Sequence, residues 1–387
     1  MNMYCVGLMS GTSLDGIDAA LVKISGYGLD THVELIEFDT YKIPLEIKDE
    51  IKKACLNNSP STALICSLNF KLGYLFSDAV KNICKKTNIS TDELEFVATH
   101  GQTIYHIPKS IENYISSTLQ IGEPSIIAYE NNVKVISNFR TMDMAAGGEG
   151  APLVPYSEFI LYGVRGENIA LQNIGGIGNV TVIPAVKDMR EIYAFDTGPG
   201  NMMIDEACSK LFGVSYDENG DIAKSGKLCE TLMEELKSHP YIDLKPPKTT
   251  GREDFGEQFV NDILEKYKNI PSEDIITTFT EYTAYTIVEN YRKFILPNIK
   301  LNKVIIGGGG AHNKTLVSLI QKGLENVKVF TQDELGFSSD AKEAIAFAIL
   351  GNETLNCSCS NVPTATGAKE NVVLGNITLP PRGKNNF

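Results

Sequence analysis

VGLMSGTSLDGID, Val6 to Asp18, is the stretch from which the rest of the chain can be read. An apolar run, Tyr4 to Leu8, meets a small hydroxyl- and glycine-rich turn, Ser10 to Ser13. A second apolar-patterned run, Ile17 to Ile24, leaves it. The pattern predicts strand, turn, strand: a hairpin whose tip exposes backbone N–H groups and hydroxyls. Consecutive N–H groups in such a turn make a concave anion site. Asp15 and Asp18 sit just beyond. Carboxylates beside bound phosphates act through a metal, since Mg²⁺ bridges carboxylates, waters and phosphate oxygens. Two readings fit: a nucleotide-phosphate loop with its Mg²⁺ ligands, or a tight hairpin with a polar tip.

Working outward, the arrangement recurs. Ile169 to Ile174 is apolar, Gly175-Gly176-Ile177-Gly178-Asn179 is a glycine turn, and Val180 to Ile183 leaves it. Glu191 to Phe195 then reads as a strand ending on Asp196. Thr197-Gly198-Pro199-Gly200-Asn201 leads into a helix with Met203, Ala207 and Leu211 on one face, closed by Gly213. In the first half, Val33 to Ile43 alternates like a third strand. Pro44 opens a helical stretch to about Asn57, and Ser59-Pro60-Ser61 caps a long helix to about Lys86 whose leucine face is core. Glu95 to Thr99 reads as a short buried strand ending on Thr99-His100-Gly101-Gln102-Thr103. Polar groups at a strand's carboxyl end are where α/β proteins place site residues. Pro124 suits a first helical turn. Val133 to Ser137 is a strand, and the glycine-rich, charged crossing Asn138 to Pro152 is the candidate domain boundary and substrate loop.

Residues 214 to 256 are polar and read as irregular, and Thr277 to Ile295 is helical. Lys303 to Ile306 is a strand running into Gly307-Gly308-Gly309-Gly310-Ala311-His312-Asn313 and another helix. Val327 to Phe330 is a strand, Ser338 to Leu350 a helix carrying Glu343, and the tail Pro363 to Leu379 should dock. Two half-chains, each opening on a glycine hairpin, suggest two like domains facing one another across a cleft, a nucleotide clamp.

The bulk numbers narrow the partners. At 387 residues the chain has room for two domains. A formal charge of −13 with no basic stripe argues against nucleic acid and against an anionic membrane surface. No apolar run approaches the ~20 residues that span a bilayer. The N-terminus enters a strand without a signal-like region, so a cytoplasmic location is expected. The eight cysteines are scattered without a CxxC and read as reduced, buried or incidental thiols.

Gly307 to His312 is not a dinucleotide fingerprint, because the third glycine position falls on His312, and no Walker A sequence is present. A glycine run between strand and helix still lets a flat ring or a phosphate approach the backbone. Asp196, before a helix N-terminus, should be kept ionised as a general base requires. A helix-capping aspartate is the competing reading. His100 and His106 are too irregular for a metal site and suit hydrogen-bonding roles. Arg140, Arg252 and Glu149 lie in polar loops where ligand contacts and surface ion pairs are equally open. Glu343 is a surface residue by default.

Taken together, GLMSGTSLDGID, THGQTIYH, QIGEPSIIA, NFRTMDMAAGGEGAPLVP, NIGGIGN, FDTGPGN, TTGRE, GGGGAHN and the late TGA resemble the anhydro-N-acetylmuramic acid kinase family over nearly the whole chain. That family belongs to the sugar kinase, Hsp70 and actin superfamily. The resemblance implies an α/β fold of two actin-like (ribonuclease H-like) domains facing each other across a nucleotide cleft. The first would hold residues 1–137 with about 345–387, the second 138–344. It also implies a homodimer acting in peptidoglycan recycling, converting 1,6-anhydro-N-acetylmuramic acid, ATP and water into N-acetylmuramic acid 6-phosphate and ADP.

Carried over position by position, Gly11, Thr12, Ser13, Leu14, Asp15, Gly16, Ile17 and Asp18 would hold the ATP phosphates, with Asp15 and Asp18 on Mg²⁺. Gly175, Gly176 and Gly178 would form the second phosphate turn. Gly308, Gly309, Gly310 and His312 would lie near the base. Asp196 matches the catalytic base, and His100, Gln102, Arg140, Asp143 and Glu343 would line the sugar side. Asn138 and Glu149 stand where the family pattern has Asp and Gln, and Glu149 adds charge beside an anionic substrate. A same-fold kinase for another amino sugar, or a nucleotide-gated binding protein of the Hsp70 or actin type, would suit the clamp equally.

Overall fold

The computed structural model describes residues 3–11, 14, 16–55, 61–111, 113–163, 166–185, 191–335 and 340–382. Its strands in chain order are β1 (Met3–Ser10), β2 (Ile17–Ser25), β3 (His32–Tyr41), β4 (Leu94–Ile107), β5 (Ser117–Ile121), β6 (Lys134–Ser137), β7 (Ile169–Ile174), β8 (Ile177–Ile183), β9 (Tyr193–Pro199), β10 (Lys303–Gly307), β11 (Lys328–Thr331) and β12 (Asn376–Thr378). They form two mixed sheets, and each falls within one compact unit. Unit 1 is Met1–Tyr162 with Asp340–Phe387, and unit 2 is Gly163–Ser339.

In unit 1 the order is β12-β6-β4-β1-β2-β3, with β5 on β4. β1, β2 and β3 are antiparallel, while β4 runs parallel to β1 and β6 parallel to β4. The helix Thr62–Thr87 packs on this sheet, capped by Ser61, whose hydroxyl accepts from Leu64 N–H at 3.1 Å. Leu68, Leu72, Phe76, Val80 and Ile83, at helical spacing, share a core with Val6, Leu8, Leu21 and Val97. Burial of each such side chain is worth ~1.5–3 kcal/mol. The helix Lys342–Leu355 is buried along most of its length from Ala344 to Thr354, as its near-continuous apolar run demands. It approaches β1 so closely that a Cβ at Gly7 would overlap the Ala344 carbonyl. The tail docks as expected, with β12 antiparallel to β6.

Unit 2 repeats the order. β9-β8-β7-β10-β11 has the first three strands antiparallel and β10 parallel to both β7 and β11. Its sheet core gathers Ile174, Val180, Phe195, Ile287, Val304 and Leu316. A second core, under the helices Met202–Phe212 and Ser272–Asn290, gathers Met203, Leu232, Phe255 and Phe279.

Four local expectations change. β4 does not stop at Thr99 but runs to Ile107. Gln102 pairs with Ser10 on one side and Ile121 on the other, so the polar run is interior strand. Within the Asn138–Pro152 crossing, Phe139–Ala145 is a helix, because Phe139 and Asp143, one turn apart, both point inward. Residues 214–256 contain the helices Asp221–Ser225 and Glu230–Lys237, the latter burying Leu232, Met233 and Leu236. β9 continues through Asp196 to Pro199.

The units divide after Tyr162 and before Asp340, where the sequence suggested 137/138 and 344/345. Residues 138–162 stay with unit 1 because Phe139 packs on Phe347, with ring centroids 5.4 Å apart. Glu149 N–H also bonds the Thr366 carbonyl at 2.8 Å. Among the described residues no helix is long and apolar enough to cross a membrane.

Candidate active site

In unit 1, the parallel register sets Ser10, the last residue of β1, opposite Gln102. Ser10 Oγ donates to Gln102 Oε1 at 2.7 Å, and Gln102 Nε2 donates to the Gly11 carbonyl at 3.4 Å, so Gln102 anchors the base of the first hairpin. Leu14 holds a left-handed φ of 59°, a strained setting for leucine, with its side chain buried in the core. Ile17 is core as well. Asp18 accepts from Thr40 Oγ1 at 2.6 Å. Thr12, Ser13 and Asp15 lie outside the described residues, and Gly16 packs against Thr40 and Tyr41.

Beyond Gln102, three charged or polar candidates gather. Arg140 Nε donates to His100 Nε2 at 3.0 Å, and Arg140 Nη1 donates to the Gly150 carbonyl at 2.7 Å. Guanidinium only donates, so His100 Nε2 accepts and its proton belongs on Nδ1, which donates to the Gly101 carbonyl at 2.9 Å. Burial, aided by the Arg140 charge, pushes His100 down to about 3 and keeps it neutral. Glu343 leaves part of its side chain in solvent. Its carboxyl nevertheless sits among protein groups, and that desolvation raises its pKa, opposed by Lys342 and Arg140 and reinforced by Asp18. Glu343 is thus a surface residue, as its default reading has it, and one within electrostatic reach of Arg140 and Asp18.

Asp143 behaves differently from the other candidates. It is fully buried, and its oxygens accept from Asn361 Nδ2 (2.9 Å), Thr366 Oγ1 (2.8 Å) and Gly150 N–H (2.9 Å). The expected sugar-side ligand is a bracket in this structure. It holds Gly150, whose carbonyl holds Arg140, and it ties that loop to the C-terminal segment. Asn361 had no signal in the sequence beyond its polarity, while Thr366 lay in the quoted TGA.

In unit 2 the glycine segments converge on Asn201. The Gly175 carbonyl accepts from Asn201 N–H at 2.7 Å, and the Gly176 carbonyl accepts from Gly200 and Met202 N–H at 2.9 and 3.1 Å. The carbonyls of the β7–β8 tip are thereby bonded back to the start of the Met202–Phe212 helix. A Cβ at Gly200 would overlap the Gly175 carbonyl, and one at Gly310 would overlap Ile174 and stand 3.1 Å from Asn201 Oδ1. Gly308 and Gly309 border Asn173 and Asn201, and Gly178 borders Thr197. His312 is exposed, with Nδ1 3.9 Å from Asp333 Oδ2. Asn201, the last residue of FDTGPGN, is the hub that motif reading left unassigned.

Asp196 lies one strand from that turn, paired with Asn179 of β8. It does not precede a helix directly, since the helix begins only at Met202. The helix-cap reading therefore fails, and so does the idea that a helix terminus keeps the group ionised. Burial raises the Asp196 carboxyl above its ordinary value. What opposes burial is the Thr250 N–H, donating to Oδ2 at 3.0 Å, and the Lys248 charge. Tyr241, Lys248 and Thr250 are the site residues that sequence reasoning missed. The available signal for Lys248 and Thr250 was the irregular PPKTTGRE run, residues 246–253, and Tyr241 lies outside it.

The sheets and sites define a duplicated α/β protein. One unit carries a half-buried carboxylate beside a glycine turn, and the other a neutral histidine–arginine–glutamate cluster beside a second hairpin. A sequence profile of anhydro-N-acetylmuramic acid kinase matches residues 3–380. The chain belongs to the anhydro-N-acetylmuramic acid kinase family. It is 60% identical to the anhydro-N-acetylmuramic acid kinase of Clostridioides difficile (strain 630), over 98% of this chain and 100% of that one. It is 57% identical to that of Bacillus cereus (strain AH820), with the same coverage. Among solved structures, the activator of the 2-hydroxyisocaproyl-CoA dehydratase from Clostridium difficile with bound ADPNP aligns over 92% of this chain and 97% of its own, at 14% identity and TM-score 0.43.

Proposed function

We propose that this chain phosphorylates 1,6-anhydro-N-acetylmuramic acid with ATP, opening the anhydro bond in the same event to give N-acetylmuramic acid 6-phosphate and ADP. The observation that carries this reading is the full-length match to kinases of that name at 57–60% identity. The site chemistry supports it. Asp196, with no helix to cap, is free to act as a general base. It takes a proton from water as the water oxygen attacks C1, the C1–O6 bond breaks, and O6 attacks the γ-phosphorus while ADP leaves. The water step is that of an inverting glycosidase's base. Phosphoryl transfer itself asks chiefly for positioning and charge neutralisation.

In unit 1, Arg140, oriented by His100 and Gly150, offers a cation to the substrate's carboxylate, and neutral His100 adds no charge of its own. The two hairpin tips and the Gly308–Gly310 run are the segments we assign to ATP. Mg²⁺ suits the donors at hand, because Asp18 and Glu343 are hard carboxylates and the Asp18 charge raises the proton affinity of Glu343. It would lower the phosphate charge during transfer, held by Asp18 and, from outside the described residues, Asp15. We also infer a homodimer, supported by exposed Phe70 and Tyr74 on the Thr62–Thr87 helix and by the exposed strand pair Tyr105 and Leu119.

Incubation with Mg-ATP and the anhydro-sugar in ¹⁸O water tests the reading. Label at C1 of a 6-phosphorylated product is expected, and Asp196→Asn should abolish it while ATP still binds. Unlabelled product would refute the coupled mechanism. Transfer to other amino sugars instead would point to the second kinase reading, and ATP turnover indifferent to sugar to a nucleotide-gated binding protein.

A further inference from the structure

Lys248 is 7% exposed, an unusual burial for a lysine. Its ammonium donates to the Tyr241 carbonyl at 3.2 Å and lies over the Tyr241 and Phe294 rings, 4.6 and 5.0 Å from their centroids. The carboxylates that act on it are Asp243, itself bonded to Lys293 at 2.8 Å, and Asp196. An ammonium buried without a close carboxylate is costly, and an apolar side chain would fill the same aromatic box without that cost.

The strap around Asp196 runs through the same residues. The Lys248 carbonyl accepts from Asp196 N–H at 3.1 Å, Tyr241 Oη donates to the Asp196 carbonyl at 2.8 Å, and Thr250 N–H reaches the carboxylate. Thr250 Oγ1 is turned the other way, donating to Asp254 Oδ2 at 2.6 Å. Tyr241 is thus bonded at one end to the ammonium and at the other to the aspartate backbone.

We propose that Lys248 is a positioning residue for Asp196: its backbone and the Tyr241 it binds hold the Asp196 backbone so that the carboxylate meets the Thr250 N–H, and its buried ammonium is the charge that favours that carboxylate. The proposal rests on the reading of Asp196 as the general base. The other titratable groups facing this cluster are Asp254, whose charge acts on Tyr241 and on His239, and the Asp243–Lys293 pair. Burial takes Lys248 itself down to about 8, so it still carries its charge in acid solution.

The test is the pH profile of sugar-dependent turnover for Lys248→Met, Lys248→Gln and Lys248→Arg, with a ¹³C NMR titration of the Asp196 carboxyl, assigned by its loss in Asp196→Asn. Removing the charge should move the acid limb and the NMR midpoint upward by about 0.5–1 pH unit in both Met and Gln variants. The glutamine variant keeps a donor for Tyr241, so it reports charge if the methionine variant folds poorly. Arginine should leave both near wild type. A uniform loss of kcat with the limb unmoved, or an arginine variant as shifted as the methionine one, would overturn the proposal. Absence of sugar-dependent turnover in the wild type would instead overturn the kinase reading, and the NMR midpoint would still report whether Lys248 governs Asp196.

Discussion

Replacing Thr366 by valine removes one of the hydrogen bonds to Asp143 while keeping the shape of the side chain. Asp143 Oδ1 then retains Asn361, and Oδ2 retains Gly150 N–H. A hydrogen bond to a carboxylate contributes ~1.5–3 kcal/mol, and this one is fully buried, so a loss near ~2 kcal/mol is expected. For a unit of this size that corresponds to a fall in Tm of roughly 4–8 °C. The consequence for function follows the chain of contacts. Asp143 fixes Gly150, and Gly150 fixes Arg140, so the KM for sugar should rise several-fold while kcat and the KM for ATP change little. Calorimetry and steady-state kinetics measure these quantities. Asn361→Leu, acting on the same oxygen, should combine with Thr366→Val non-additively. An unchanged Tm together with an unchanged KM would refute the bracket. A fall in kcat at constant KM would refute the claim that the bracket acts through Arg140.

Because burial holds His100 near 3 against an ordinary 6.5, the unfolded chain takes up a proton first as the pH falls. The stability from this group is therefore present above pH 6.5 and lost toward pH 3. His100→Gln should flatten that loss in urea midpoints, and parallel curves would contradict it. Gly310→Val, forced against Ile174 and Asn201, should weaken ATP binding by roughly 5- to 150-fold, from ~1–3 kcal/mol of overpacking. Titration calorimetry reads this directly, and wild-type affinity would remove Gly310 from the nucleotide site. Native thiol titration should label the exposed Cys66 and Cys357 rapidly. Buried Cys84, pushed up to about 11, Cys208, pushed up to about 12, and Cys5 should react only on unfolding. Fast labelling of Cys5 would contradict its burial.

Much of the fold was legible because it is local. Alternation in Val33–Ile43, the leucine spacing of the Thr62–Thr87 helix and the paired glycine turns each announce themselves within a few residues. The strands at 94–107 and 193–199 were cut short because their polar residues pair within the sheet, which composition cannot reveal. The segment 214–256 hid three helices, the third being Arg252–Phe255, because its few apolar positions gain meaning only against the Phe255 and Phe279 core.

For the site, the sequence by itself determined which residue types stand at which turns: Asp18 beyond the first hairpin, Asp196 near the second, and the Gly307–Gly310 run at the end of β10. Their electrical and geometric states were decided by residues far away along the chain. His100 is neutral because burial desolvates it and the Arg140 charge repels its proton, and Asp143 is a bracket because Asn361 and Thr366 return to it from the C-terminal segment. The Asp196 carboxyl is raised by burial and held back by the Thr250 N–H and the Lys248 charge, not set by the helix that follows it. Periodicity and turn chemistry act over a few residues. Desolvation and charge depend on which groups fill the surrounding few ångströms, and only the folded chain brings those groups together.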